Sequence, residues 1–501
     1  MGTPQARKLG TEVAGRGRQQ GLCEQALPPD RAVYTTGAMK TLIDSSQTLA
    51  SGLSEIRAQF RVPEGFPPEI EAAAKMATKR VPDDHADRTA VPFVTLDPAS
   101  STDLDQAFSI ERSGADIILH YAIADVAWFV RDGDALDEEA WRRGTTLYLP
   151  DGKARLYPKA LSENAASLLP GGPRPAVIFS VRVGPDGSAR LDAAERAMIH
   201  SRAKLAYETV KDGDLPDGFS ELANRMAQAE AARGASRVDP PEQEVEHVGN
   251  GAFQLAFRPK LKSEEQNAAL SLAANMAIAQ ALYENRTGLF RVMSEADAED
   301  VAKLRNAAKA LGLAWPAGVS LESYQRGLDA ADPKQAAFML AIRRASRGAT
   351  YVPYEDGKTP WHAAMAATYA HATAPLRRLA DRYVVRATLA VANGKPVPDV
   401  VSEAFEKLPK VMARADGQAS QINRAVIDLA EAVMLDGREN EIFPAVVTDR
   451  DARGVRVQLC ALPVVATVDA NGVQPGDGID LKLVSAEPDE RRIVFEPVRA
   501  G

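Results

Sequence analysis

Apolar and polar positions change their spacing several times along the chain, and each change predicts a different kind of element. From Met39 to about Phe60 the spacing predicts an amphipathic helix, and Glu69 to Lys79 predicts a second beyond a Pro-rich turn. From Val91 the texture becomes strand-like, with Ala115–Val130 and Arg174–Val183 flanking a turn-rich segment. Helical spacing then takes over. Ser263-Glu264-Glu265-Gln266 fits a capping box, and Leu272, Met276, Ala279 and Tyr283 follow on one helical face. Between these regions Arg233–Asn250 carries Pro240-Pro241 and several acids, and reads as a surface connection inside one domain. The strands before it and the helices after it would each lack a partner layer alone. Near the end five β-rich runs appear: Phe443–Thr448, Gly454–Leu459, Val464–Val468, Ile479–Val484 and Arg492–Phe495. Five short strands of that size predict an OB-type barrel, with a generic β-module as the alternative.

The fold class expected is therefore α+β: a domain of mixed sheet and helices over 91–436, then a small all-β barrel over 437–501. A short helical segment over 39–90 precedes them. Residues 1–38 place Arg7, Lys8, Arg16 and Arg18 among Gly and Gln without a period, and read as a disordered leader or as sequence upstream of a true start at Met39.

Composition narrows the class. A chain of 501 residues that is 45% hydrophobic can bury large cores. No apolar run approaches the roughly 18 residues of a membrane span, and the N-terminus lacks a secretory core, so a cytoplasmic, non-membrane protein is the default. Cys23 and Cys460 are the two cysteines, too few for a disulfide framework or a thiolate zinc site. Any metal must be held by oxygen or histidine. The net charge of −8 argues against a surface coated with nucleic acid, yet a recessed basic channel is compatible with it.

The densest chemistry lies in Val94–Ala107, VTLDPASSTDLDQA. Asp103 and Asp105 stand two apart and share one side of an extended segment. Asp97 precedes them across a loop of small residues that can fold back. Three unpaired carboxylates that close repel one another, and a divalent cation is the natural counter-charge. Oxygen ligation with places left for water and a phosphate suits Mg²⁺, or Mn²⁺ as the alternative. Acids in a loop can equally do no more than cap turns.

The same loop resembles the Asp-rich signature of the RNase II family of exoribonucleases, whose catalytic unit is the RNB domain. His120-Tyr121-Ala122-Ile123-Ala124-Asp125-Val126, Arg143–Pro150, Leu161-Ser162-Glu163-Asn164 with Ser167-Leu168, and Tyr369–Asp381 follow in that family's order. The resemblance implies a metal-dependent hydrolase that digests single-stranded RNA from its 3′ end to nucleoside 5′-monophosphates. It also implies that 91–436 is an RNB-like catalytic domain and 437–501 an RNA-binding OB-type barrel. No part of the chain reads as the family's N-terminal pair of cold-shock barrels, and no protein partner is inferable. Asp97, Asp103 and Asp105 match three of the family's four catalytic aspartates, with Gln106 in the fourth place. That gives Asp97, Asp103, Asp105 and Gln106 as the expected metal ligands. Arg377 matches the arginine that reaches the scissile phosphate and Tyr148 the aromatic that packs on the terminal nucleotide. Thr373 and Arg378 complete the expected substrate contacts, and Asn423 stands where the family has a glutamate.

Phosphodiester hydrolysis needs an activated water and charge neutralisation, which two divalent ions about 3.5 to 4 Å apart can supply. Thr373-Ala374-Pro375 reads as a helix start and Gly394 as its stop, which puts Arg377 in a first turn suited to an anion. An intrahelical Arg377–Asp381 pair is the plain alternative. His120 and His371 read as hydrogen-bonded structural histidines. Gln106 also keeps open a catalytically weak or inactive RNA-binding relative, and DNA remains a weaker alternative substrate.

Overall fold

The computed structural model describes residues 40–42, 48–235, 242–249, 252–258, 260–329, 332–345, 348–451 and 454–498. The leader expected over residues 1–38 lies outside them.

The chain begins with β1 (Lys40–Leu42), α1 (Thr48–Gln59) and α2 (Pro68–Ala77). The helix expected from Met39 thus starts later, because Lys40–Leu42 pairs antiparallel with Leu255–Phe253 instead. Next come β2 (Ala86–Asp87), β3 (Phe93–Asp97), β4 (Gln106–Ser113), β5 (Asp116–Ala124), α3 (Ala135–Arg143) and the hairpin β6 (Leu147–Leu149) and β7 (Gly152–Ala154). The strand expected through Val130 stops at Ala124, where Asp125 caps a short helix by accepting from the Trp128 N–H. Strands β8 (Arg174–Val183), β9 (Ala189–Ile199) and β10 (Ser201–Ala206) complete a seven-stranded mixed sheet in the order β10-β3-β4-β5-β8-β9-β2. Two of its pairings, β10 with β3 and β2 with β9, are parallel. Buried residues dominate β5, which lies inside the sheet between β4 and β8.

Helix α4 (Phe219–Ala232) leads to β11 (Glu242–Gly249) and β12 (Ala252–Arg258), which join β1 in a three-stranded sheet. Much of the segment expected as a surface connection is therefore strand β11. Helix α5 (Lys262–Glu284) follows. Its cap is Leu261, whose N–H donates to Glu264 Oε2 at 2.8 Å, while Ser263 Oγ donates to the Tyr207 carbonyl. The Glu of the expected capping box holds its place; the Ser does not. Strands β13 (Leu289–Val292) and β14 (Thr350–Pro353) pair directly, with helices α6 (Ala298–Ala310), α7 (Leu321–Gln325) and α8 (Pro333–Ala345) inserted between them.

Helix α9 (Leu379–Ala392) leads to α10 (Asp399–Leu435), a 37-residue spine. Its apolar positions serve three cores in turn. Val401, Phe405, Leu408 and Met412 enter the main sheet core, and Ile422, Val426 and Leu429 pack with Leu49, Leu53, Leu147 and Leu149. Leu435 reaches the barrel core. The barrel consists of β15 (Ile442–Asp451), β16 (Gly454–Leu459), β17 (Val465–Val468), β18 (Gly478–Glu487) and β19 (Arg492–Pro497), all antiparallel, in the order β17-β16-β15-β18-β19. It is a nearly closed five-stranded barrel, as its alternating sequence predicts.

Candidate active site

Asp97 ends β3, paired with Ala206 of the parallel neighbour. The loop after it returns to β4 and is pinned by Ser167, whose Oγ accepts from the Leu104 N–H at 2.9 Å and donates to the Thr102 carbonyl at 2.8 Å. Leu168 N–H closes the clamp on the Leu104 carbonyl at 2.9 Å. These bonds fix the loop so that Asp103 and Asp105 are presented from one rigid turn.

The second half of the site comes from far along the chain. Leu376 N–H donates to Asp105 Oδ1 at 2.7 Å, and Arg377 Nε lies 3.3 Å from Asp105 Oδ2. Asp381 is fully buried, accepts from the Ala374 N–H at 2.8 Å and holds Arg378 in a two-nitrogen fork. Segment 374–378 is consequently a folded turn, and α9 begins only at Leu379. The helix start expected at Pro375 fails for a definite reason. The Arg377 carbonyl accepts from Thr146 N–H at 3.0 Å and Thr145 Oγ1 at 2.8 Å, and Leu379 N–H donates to the Gly144 carbonyl at 3.0 Å. A single turn closes, with Arg378 N–H on the Ala374 carbonyl at 2.9 Å, but the groups that would continue it, Leu379 N–H and the Arg377 carbonyl, are spent on residues 144–146. The expected stop is present: Gly394 sits just past Asn393 with φ +62.

Gly144 makes that junction possible. Its φ is +74, and a Cβ there would lie 2.9 Å from the Ala415 Cβ on α10. The chain continues into the β6–β7 hairpin, where Leu147, Leu149 and Ala154 face the apolar cluster with α1 and α10. Tyr148 and Lys153 are directly opposed and project from the other face. Arg57 of α1 grips the hairpin turn through a fork onto Asp151, at 2.9 and 2.7 Å. Tyr148 is 55% exposed, and Lys153 Nζ is 2.7 Å from Asp103 Oδ1 and 3.1 Å from Glu163 Oε1.

The expected site residues divide into two groups. Asp103, Asp105, Arg377 and Tyr148 form one constellation, and Asp97 adjoins it closely enough for Asp103 and Arg377 to act on its charge. Thr373 is buried and its Oγ1 lies 3.0 Å from Ser271 Oγ, so it braces α5. Arg378 is forked onto Asp381, with its side chain 25% exposed. Gln106 is buried with its Oε1 accepting from the Tyr121 hydroxyl, so the amide oxygen expected on a metal already has a protein partner. Asn423 is exposed on α10. His120 bonds Ser180 at 3.0 Å, and His371 bonds Tyr351 at 2.9 Å with its protonation suppressed by burial. Sequence reading missed Lys153 and the pocket wall of Tyr207, Glu264, Asn267 and Ser271, which lines an open cleft of about 250 Å³ beside Arg377. Lys153 comes from β7, Tyr207 from the turn after β10, and Glu264, Asn267 and Ser271 from one helical face of α5, so only those three share a spacing and nothing in it points to Arg377.

The carboxylates fit a divalent cation electrostatically. Burial pushes Asp97 and Asp105 up to about 7, against the opposing pull of Arg377. Asp97 Oδ2 is buried without a hydrogen-bond partner, an arrangement that an added cation would relieve. Among the described residues no three His, Cys, Asp or Glu side chains close into a ready cage. Lys153 on Asp103 and Arg377 on Asp105 hold two of the three acids from different sides.

A sheet-and-helix domain with this acidic loop is followed by a five-stranded barrel, and comparison with known proteins gives this architecture a family. The RNB domain matches residues 86–394, and the RNase II-type exonuclease C-terminal S1 domain matches residues 441–498. The chain belongs to the RNB-domain family and is homologous to ribonuclease R. Ribonuclease R of Thermotoga maritima is 26% identical over 396 residues, which cover 73% of this chain and 55% of that protein. The chain thus spans little more than half of that relative. The structure of Mycoplasma genitalium RNase R in complex with ribose methylated single-stranded RNA superposes with a TM-score of 0.80 at 18% identity, covering 90% of this chain and 78% of that one. Yeast Ssd1, a pseudonuclease, shares the fold with a TM-score of 0.61 at 15% identity, covering 91% and 58%. Among the described residues no helix is long and apolar enough to cross a membrane.

Proposed function

We propose that the chain is a metal-dependent hydrolytic 3′-to-5′ exoribonuclease acting on single-stranded RNA in the cytoplasm and releasing nucleoside 5′-monophosphates. The observation that carries this reading is the convergence of the acidic loop and the Leu376-Arg377 turn on one carboxylate, Asp105. Asp97, Asp103 and Asp105 would hold Mg²⁺ or Mn²⁺, which when bound supplies an activated water and neutralises charge on the phosphoryl oxygens. Arg377, with its side chain 47% exposed, is positioned to turn its guanidinium onto the scissile phosphate. Tyr148 offers a free face on which the terminal base can stack, a contact that reads no sequence. Domain limits follow the same reading: a catalytic unit to about 436 and an RNA-binding barrel after it.

A second reading is a non-catalytic RNA-binding relative. It is favoured by Gln106, whose amide oxygen is bonded to Tyr121, and by Lys153 on Asp103. Incubating the full chain with 5′-labelled single-stranded RNA in Mg²⁺, Mn²⁺ or EDTA separates the two. A ladder that shortens from the 3′ end only with metal supports the enzyme; retained RNA binding without shortening supports the second reading.

A further inference from the structure

Three carboxylates and two fixed side-chain cations meet in this site, and the pairing between them is unequal. Arg377 is shared between Asp105 and solvent at 3.3 Å, whereas Lys153 sits on Asp103 at 2.7 Å with its side chain 17% exposed. Asp97 keeps a buried, unpartnered Oδ2. Asp103 thus has a cation in direct contact, while Arg377 and Lys204 act on the charge of Asp97 without a hydrogen bond to its Oδ2.

Lys153 is not needed to hold the hairpin. Leu147, Leu149 and Ala154 bury its other face, and the Arg57–Asp151 fork fixes its turn. Glu163 orients the ammonium from behind at 3.1 Å and is itself tied to Arg155 at 2.6 Å. An ammonium so held carries one positive charge to the oxygen that a divalent ion would use, and both cannot coordinate it at full strength.

We propose that Lys153 is a resident counter-charge that competes with the divalent cation for Asp103 and thereby sets the metal requirement of the site. The proposal rests on the metal-binding reading above. With Lys153 in place, uptake of metal at Asp103 requires displacing the ammonium, so the cation is recruited mainly through Asp97 and Asp105 at higher free concentration. Removing the ammonium returns a full carboxylate charge to the site.

The test is a Mn²⁺ titration of the full chain without RNA, following free Mn²⁺ by electron paramagnetic resonance. Lys153→Met is expected to bind Mn²⁺ about tenfold more tightly than wild type, the size of effect that one neighbouring charge exerts on a carboxylate. Lys153→Arg, which keeps the charge, is expected to show no gain. In an Asp103→Asn background the Lys153→Met gain should vanish, because the contested ligand is gone. No gain in the single variant, a gain in Lys153→Arg, or an equal gain in the Asp103→Asn background each overturns the competition while leaving the metal site standing. Absence of Mn²⁺ uptake by every variant overturns the metal reading and the competition with it.

Discussion

Asp105 accepts a hydrogen bond from the backbone N–H of Leu376 at 2.7 Å, across 271 residues of chain. One carboxylate therefore registers two distant segments, and the position of Arg377 depends on it. Asp105→Asn can keep an oxygen toward Leu376 but loses the charge that faces Arg377 and that the proposed cation would use. Hydrolysis of labelled RNA should fall below detection, while affinity measured by fluorescence anisotropy stays close to wild type. Retained turnover would remove Asp105 from the catalytic set.

Arg377→Ala should act mainly on the chemical step. On the proposed reading its guanidinium would be one phosphate contact among many in binding, but loss of a transition-state charge partner costs about 10² to 10³ in rate. Single-turnover cleavage at saturating enzyme measures this directly, and an unchanged rate would count against the assignment.

Tyr148→Ala should weaken binding of short oligonucleotides by the worth of one stacked base, about 1 to 3 kcal/mol, with little change in melting temperature because the ring is exposed. Tyr148→Phe should retain affinity. Equal losses in both variants would indicate that the hydroxyl, not the ring face, is the contact.

Gly144→Ala should impair turnover from a distance. A Cβ would meet Ala415 at 2.9 Å with φ at +74, forcing residues 144–146 away from α10 and pulling on the carbonyl of Arg377 they hold. Overpacking of this kind costs about 1 to 3 kcal/mol, so a lower melting temperature should accompany the fall in rate. Wild-type turnover would show that the junction does not position Arg377.

Glu431 on α10 is buried at the barrel junction, where its Oε1 accepts from Val465 N–H at 2.8 Å and Gln243 Nε2 at 2.6 Å. Burial pushes it up to about 8, so the folded state holds a proton that the unfolded state has released. Its contribution is therefore fully present below its ordinary range near pH 4.5 and is lost as pH rises toward about 8. Glu431→Gln keeps the acceptor without the charge and should flatten that decline in thermal melts taken across the window. Parallel curves for the two proteins would show that Glu431 does not titrate there.

What the sequence determined by itself was whatever is written in local periodicity and close spacing. The barrel strands stand close to the five β-rich runs, β16 with a strict alternation of buried and half-buried side chains, and Arg174–Val183 is bounded in the structure as in the sequence. The acidic loop was legible because Asp97, Asp103 and Asp105 lie within nine residues. Tertiary structure decided what those groups meet. Lys40–Leu42 became a strand because Leu255 and its neighbours offered an open edge, which overrides a helical period. Arg377 left the helix because its carbonyl found Thr145 and Thr146, and Arg378 turned to Asp381 rather than outward. Lys153 reached Asp103 only because an apolar cluster holds the hairpin beside the loop. Spacing along the chain fixes which side of an element a residue occupies, but partners from other elements are chosen by packing, and a charge takes the partner that packing brings within reach.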